Sequence, residues 1–268
     1  FYGSMPNDTI RTFSRGGSDI TGAIVARATG SDLYENWTDV SGVLMADPRI
    51  VEDPEVIDII TYNELRELSY MGATVLHEDA IFPVRLMGIP INIRNTNKPE
   101  DPGTMIVASA EGAGKNVITG IAGKPGFSSI TIEKDMMNSE VGFTRKVLSV
   151  LESEGISFEH MPSGIDTLSI ILATPVLEGK KERILRAICD AVSPDSVFVE
   201  DSIALIAVVG RGMRSTKGTA ARTLDAVAGA GINLVMIDQG SSELNIILGV
   251  KEADLQKTIA AIYGEFGS

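Results

Sequence analysis

Between residues 117 and 268 the apolar pattern runs through almost the same order of elements twice, and a repeated order constrains the fold more tightly than any single motif. The first copy reads as a strand at 129–132, a helix near 142–154 with Phe143, Val147, Leu148 and Leu151 on one face, and a strand at 156–161. A Ser-Gly turn, a strand at 167–173, a helix at 181–192 and a strand at 196–199 complete one βαββαβ unit. The second copy runs strand 203–209, helix 219–230, strand 232–237, the turn Gln239 to Glu243, strand 244–250 and helix 253–266, one strand short of the first. An unpaired sheet edge is a liability, so the missing strand is expected elsewhere in the chain. The unused strand is 117–122, VITGIA, which lies before the first copy. The spacing therefore predicts a nested order, with a first unit at 126–200 inserted into a second built from 117–125 and 201–268.

Upstream, Asn, Pro, Asp and Gly cluster over 95–115 around the short apolar run MIVA, which reads as a connector with a boundary near 108–116 and a linker at 109–116. Before it, a helix at 21–28, a strand at 33–38, helices at 62–71 and 75–86 and a strand at 89–93 alternate as in a piece of an α/β sandwich occupying 1–108. The net charge of −13 repels phosphate backbones and anionic lipid, so neither nucleic acid nor membrane is an expected partner. The longest wholly apolar run, 203–209, is far short of the roughly 20 residues a membrane helix needs. The chain opens in mid-pattern at FYGSM, without a basic-then-apolar leader. The single cysteine, Cys189 in ILRAICDAV, is expected as a buried structural thiol on a helix stripe, in a reducing cytoplasm.

Two upstream segments carry chemistry. Ser14-Arg15-Gly16-Gly17-Ser18-Asp19 leads into a helix, where glycines admit a ligand close to the backbone and exposed N–H groups attract an anion. Arg15 suits a carboxylate or phosphate and Asp19 an ammonium, although a tight turn with an ordinary N-cap explains the local pattern as well. In WTDVSGVLMADPR, Thr38 and Asp39 close a strand at the end where open α/β sheets bind ligands, and Asp47-Pro48-Arg49 follows. Arg49 suits a phosphate and Asp47 its orientation or a metal; a proline-fixed turn with a surface ion pair is the plainer reading. Gly112 to Asn116 lacks phosphate-loop spacing and reads as linker, and Gly210 to Arg214 lacks the third glycine of a dinucleotide fingerprint. His77 and His160 have no partner at ligand spacing, so no metal site is expected.

In order and interval, FSRGGSD, WTDVSGVLMADPR, ELSYMGATVLH and PINIRNTNKPEDPGT resemble the carboxyl half of the catalytic domain of aspartate kinases, and the two βαββαβ units, with QGSSELNI, resemble the ACT domains of that family. The resemblance implies an α/β fold: the C-terminal part of an amino-acid-kinase three-layer sandwich followed by two ferredoxin-like ACT domains. It implies phosphorylation of the L-aspartate side-chain carboxylate by ATP with Mg²⁺, giving 4-phospho-L-aspartate. Arg15, Ser18 and Asp19 match aspartate-site positions, and Thr38, Asp39, Asp47 and Arg49 nucleotide-site positions. The family further implies feedback by lysine, threonine or both at the loop 135–143 of the first unit. Met136, Asn138, Ser139, Gly142 and Phe143 lie on that loop, and Glu159, less firmly Asp166, suits a lysine ammonium there, although a solvated strand face explains Glu159 as well. A homodimer through the ACT units is expected. Leu44 and Thr74 stand where many members have tyrosine and lysine, and the family's KFGG element with its phosphate-binding lysine is absent, so the catalytic lobe is expected to be incomplete and no turnover is expected from this segment alone. The alternatives are a non-catalytic amino-acid-binding and dimerisation subunit of the same enzyme, or another carboxylate kinase of the same fold.

Overall fold

The computed structural model describes residues 2–12, 17–73, 76, 78–110 and 116–267, with residues 78–80 described by backbone alone. Arg15, Thr74, His77 and 112–115 lie outside the described residues. A short hairpin of β1 (Gly3–Ser4) and β2 (Ile10–Arg11) precedes α1 (Gly17–Thr29), whose Ile20, Ala23 and Ala26 recur at helical spacing and are buried. Then come β3 (Tyr34–Thr38), β4 (Ile59–Thr61), α2 (Tyr62–Tyr70), α3 (Glu78–Arg85), β5 (Ile91–Asn95) and β6 (Thr104–Val107). These strands form one mixed sheet in the order β3-β5-β6-β4, parallel at β3/β5 and β6/β4 and antiparallel at β5/β6.

Two of these strands correct the sequence reading. The supposed connector over 95–115 contains β6, which sits inside the sheet, and β4 was not anticipated at all. Both are too short to establish an alternation, and β6 is flanked by the Pro and Gly that ordinarily mark loops. What fixes β6 is Thr104, fully buried: its hydroxyl donates to the Ile57 carbonyl at 2.6 Å and accepts from the Val43 amide at 2.8 Å.

The second half consists of β7 (Gly120–Glu133), α4 (Phe143–Ser153), β8 (Thr167–Ala173), α5 (Lys181–Val192), β9 (Ser196–Val209), α6 (Thr219–Gly229), β10 (Met236–Asp238), β11 (Asn245–Lys251) and α7 (Leu255–Phe266). They make one antiparallel sheet, β10-β11-β9-β7-β8. The strands read separately at 117–122 and 129–132 are one strand, β7, and those read at 196–199 and 203–209 are one strand, β9. Gly120, Ile121 and Ala122 pair with Val209, Val208 and Ala207, the pairing on which a nested order depends. Beyond a bulge at 124–129, Ser129–Glu133 pair with Ser196–Glu200 on one side and with β8 on the other. Gly126 at φ +93 makes the bend, pinned by its amide donating to Glu252 at 2.7 Å.

Two predicted strands shrink. Residues 156–161 follow β8 through Glu159 and His160, which bond the Ile171 backbone at 2.8 and 2.9 Å, but form isolated bridges rather than a ladder; Pro162, without an N–H, interrupts it. Of 232–237 only Met236 and Ile237 join β10, after a turn through Gly231 at φ +68. Cys189 is half-buried rather than buried, because the stripe of α5 runs through Ile184, Ile188 and Val192 and leaves it at the margin.

The apolar interior falls into two clusters. One, built from Ile130, Phe143, Val147, Leu168, Ile184 and their neighbours, lies within residues 130–199. The other is continuous from α1 and the mixed sheet through Ile121, Ile171, Ile206, Val227 and Ile259, so β7, β9, α6 and α7 share one core with the upstream half.

Candidate functional site

The loop after β3 is shaped by its contacts with β5 and β6. Asn95 donates to the Ser41 hydroxyl at 2.9 Å, Ser41 donates to Asp101 at 2.5 Å, and Gly42 at φ +125 passes so close to the Thr104 hydroxyl that a Cβ would collide with it. The chain then enters a turn at Asp47, whose carbonyl accepts from Ile50 and Val51. The Asp47 carboxylate accepts from the Arg49 amide at 2.9 Å and from its guanidinium at 2.6 to 3.1 Å. These Arg49 hydrogen bonds outweigh partial burial and hold the Asp47 carboxyl below the usual range. The Arg49 side chain is 86% exposed, so the fork is preset and still reachable.

This loop, the turn Met71–Ala73 and the stretch Ile121–Pro125 of β7 enclose a cavity of about 420 Å³ with an apolar wall that includes Leu44, Ala46, Ile50 and Ile259. Asp47, Arg49 and Lys124 are its charged lining. Cavities of this size, apolar with a few placed charges, are where small ligands bind.

A second group forms around α1 and β3. Asp19 accepts from Asn36 Nδ2 at 3.2 Å and from Ser18 Oγ at 3.5 Å, while the Tyr34 hydroxyl donates to the Asp19 carbonyl at 3.2 Å and accepts from Asn36 at 2.9 Å. Burial, with the neighbouring Asp19 charge, pushes the Tyr34 phenol up against the opposing Asn36 bond, so it remains a neutral donor. Tyr34, Asn36 and Thr38 share one face of β3 by strand alternation, which sets Asp19 and Thr38 within one strand's length of each other. Thr38 donates to Asp39 at 3.2 Å. Neither Tyr34 nor Asn36 was anticipated; the alternation of polar residues in YENWT was the available signal.

The expected effector positions are less unified. Met136 (φ 59), Asn138 and Ser139 are exposed, and Gly142 (φ 79) opens α4. Phe143 is a core residue of the first unit, with the Lys134 ammonium 5.7 Å above its ring. Asp166 accepts from the Met136 amide at 2.9 Å, tying the loop down, and Glu159 accepts from the Tyr70 hydroxyl of α2. Two lysines, Lys134 and Lys146, hydrogen-bond Glu140 at 2.6 Å each and hold its carboxyl low. Among the described residues no group of three or more His, Cys, Asp or Glu is placed to hold a metal, and no helix is long and apolar enough to cross a membrane.

The seam between the halves centres on Glu64, which sequence reasoning missed although Thr61 and Glu64 stand at capping-box spacing. It is fully buried. Its carboxylate accepts from the Thr61 amide and hydroxyl of its own helix, at 2.9 and 2.8 Å. From across the seam it accepts from Thr119 Oγ1 at 2.6 Å, the Arg211 amide at 2.8 Å and the Arg211 guanidinium at 3.0 Å. Burial alone would raise its pKa; the bonds from Thr119, Thr61 and Arg211 outweigh that and hold it below the ordinary carboxylate value.

Comparison with known proteins matches residues 2–95 to the amino acid kinase family and 206–266 to an ACT domain. The chain is 45% identical over 267 residues to aspartokinase 3 of Bacillus subtilis, covering 99% of this chain and 59% of that protein. The Clostridium acetobutylicum aspartate kinase structure superimposes with a TM-score of 0.92 at 56% identity, covering 100% of this chain and 62% of that one. Escherichia coli aspartokinase III, solved with aspartate and ADP, gives 0.80 at 25% identity, covering 99% and 59%. The chain thus spans about three-fifths of the length of these relatives.

Proposed function

We propose that this chain, an α/β protein joining a segment of the amino acid kinase family to ACT units, is the nucleotide-side and regulatory part of an aspartate kinase that transfers the γ-phosphoryl group of ATP to the side-chain carboxylate of L-aspartate. The observation that carries this reading is the cavity of about 420 Å³ whose wall includes Leu44, Asp47 and Arg49. An apolar wall suits a base, and an oriented guanidinium suits a phosphate. Phosphoryl transfer asks a protein chiefly for positioning and charge neutralisation, which a preset Arg49 fork supplies. Mg²⁺ belongs to this scheme as the companion of the nucleotide, since it is ordinarily held by one or two carboxylates and substrate phosphates rather than by a protein cage.

Ser18 and Asp19, with Arg15 ahead of them, are the residues we assign to aspartate. Asp19 is held by Asn36 and Ser18, and its second carboxylate oxygen suits the substrate ammonium. Residues 117–125 and 201–268 form the second ACT unit around the inserted 126–200, and lysine, threonine or both act at the loop carrying Met136, Asn138, Ser139 and Gly142. The exposure of Met136, Val141 and Ile165 around that loop supports a homodimeric protein with this face covered.

The test is a coupled assay for ADP release from the protein carrying this chain together with the remaining length of its relatives. Aspartate-dependent release that falls at least tenfold in Arg49→Met, and that lysine or threonine suppresses, is the expected result. Binding of lysine or threonine with no nucleotide affinity would overturn the kinase reading in favour of a purely regulatory subunit. A monomer in light scattering with and without amino acids would remove the dimer.

A further inference from the structure

The cavity has two cations on its wall, and they differ in what they are already doing. Arg49 is committed to Asp47 through three bonds from its side chain and one from its amide. A guanidinium paired in this way presents a reduced net charge to a ligand. Lys124 has no anion against it among the described residues; its ammonium lies about 6 Å from the rings of Tyr70 (6.0 Å) and Phe127 (5.8 Å).

The position of Lys124 in the sheet is unusual. It is the last residue of β7 in regular register with β9, facing Leu205, before the ladder slips between Lys124 and Phe127. Pro125 and the left-handed Gly126 turn the backbone away immediately after it, and Glu252 pins that turn. Bulges re-aim the side chain beside them. Lys124 itself lies on the cavity wall, to which the turn Met71–Ala73 also contributes. Lys124 is exposed and has no ion-pair partner among the described residues, so its charge is available to a polyanionic ligand in the cavity.

We infer that Lys124, a residue of the regulatory sheet, is a positioning residue for the phosphates of the nucleotide held in this cavity, so that the ligand bridges the kinase segment and the strand running through both regulatory units. The inference rests on the nucleotide reading of the cavity and adds to it a residue from outside the kinase segment. It makes nucleotide affinity sensitive to the setting of β7.

The experiment is equilibrium binding of fluorescent ADP and of adenosine to the full protein as wild type, Lys124→Met, Lys124→Arg and Arg49→Met. Expected is a loss of about tenfold in ADP affinity for Lys124→Met, recovery to within about threefold in Lys124→Arg, and unchanged adenosine binding in both. ADP binding by Lys124→Met equal to wild type, with Arg49→Met impaired, overturns the role of Lys124 and leaves the cavity reading intact. Equal loss of ADP and adenosine in Lys124→Met assigns the lysine to wall structure and likewise overturns it. Failure of wild type to bind either ligand removes the nucleotide reading and this inference with it.

Discussion

Replacing Glu64 by alanine tests whether the two halves are held by one buried carboxylate. The side chain is 0% exposed and its partner Arg211 only 12% exposed, so the substitution takes the carboxylate away from the Arg211 guanidinium and amide and from the Thr119 hydroxyl at a largely buried place. Removing one member of a buried pair typically costs about 3 to 5 kcal/mol, a large share of a stability of about 5 to 15 kcal/mol. Urea unfolding should move its midpoint down by about 1 to 2 M at a denaturant slope of about 2 to 3 kcal/mol/M. Glu64→Gln keeps the shape but turns an amide donor toward one of those donors, and should lose roughly half as much. The Glu64→Met, Arg211→Leu double variant should regain much of the loss, since an apolar pair leaves nothing unsatisfied. The pH dependence has a definite sign: the folded carboxyl lies below its unfolded value of about 4.3, so the stabilisation is fully present above that pH and disappears as pH falls through the folded value. The gap between wild type and Glu64→Gln should therefore be widest near pH 6 and close on acidification. A Glu64→Ala protein within 1 kcal/mol of wild type at pH 7 would refute the seam.

Gly42→Ala demands φ +125 of a residue with a Cβ and drives that Cβ into the Thr104 hydroxyl; a loss of at least about 2 kcal/mol, seen as a melting point lower by about 4 to 8 °C, is expected. Asp47→Asn frees Arg49 from its orienting partner, so ADP should bind several-fold more weakly although the site becomes more positive; tighter binding would mean that Asp47 repels the ligand rather than orienting Arg49. Tyr70→Phe removes a solvent-accessible bond to Glu159 worth less than about 1 kcal/mol, so global stability should hold while amide exchange at 159–162 accelerates; unchanged exchange there would refute a tether between α2 and the first unit.

How much of this was legible depends on how many residues carried each signal. Helices such as α5, found at the predicted bounds 181–192, expose three turns of an apolar stripe. The matching of β7 to β9 could be argued from a missing edge because the rest of the unit was countable. Strands β4 and β6, three and four residues long, offer no alternation to count, and their place in the sheet is decided by Thr104 and by partners distant in sequence. At the candidate site, Asp47 and Arg49 were legible because two residues of separation sufficed for the pair. Lys124 was not: nothing local distinguishes it from any other lysine in a strand, and its significance comes from a cavity assembled by segments far apart in the chain. Glu64 had a local signal for capping, and none for its partners across the seam.

The course of β7 and β9 also bears on how such a protein can be taken apart. Phe127 and Ile203 face each other as partners on neighbouring strands, so the chain enters residues 128–202 and returns from them at points about 5 Å apart. A tight two-residue turn spans that gap. Residues 128–202 can be spliced out, or exchanged for another segment with the same entry and exit, while Glu64 and Arg211 stay in place and the core shared with the upstream half loses Ile171. This stretch is a cassette, and its socket is a hairpin waiting to be closed.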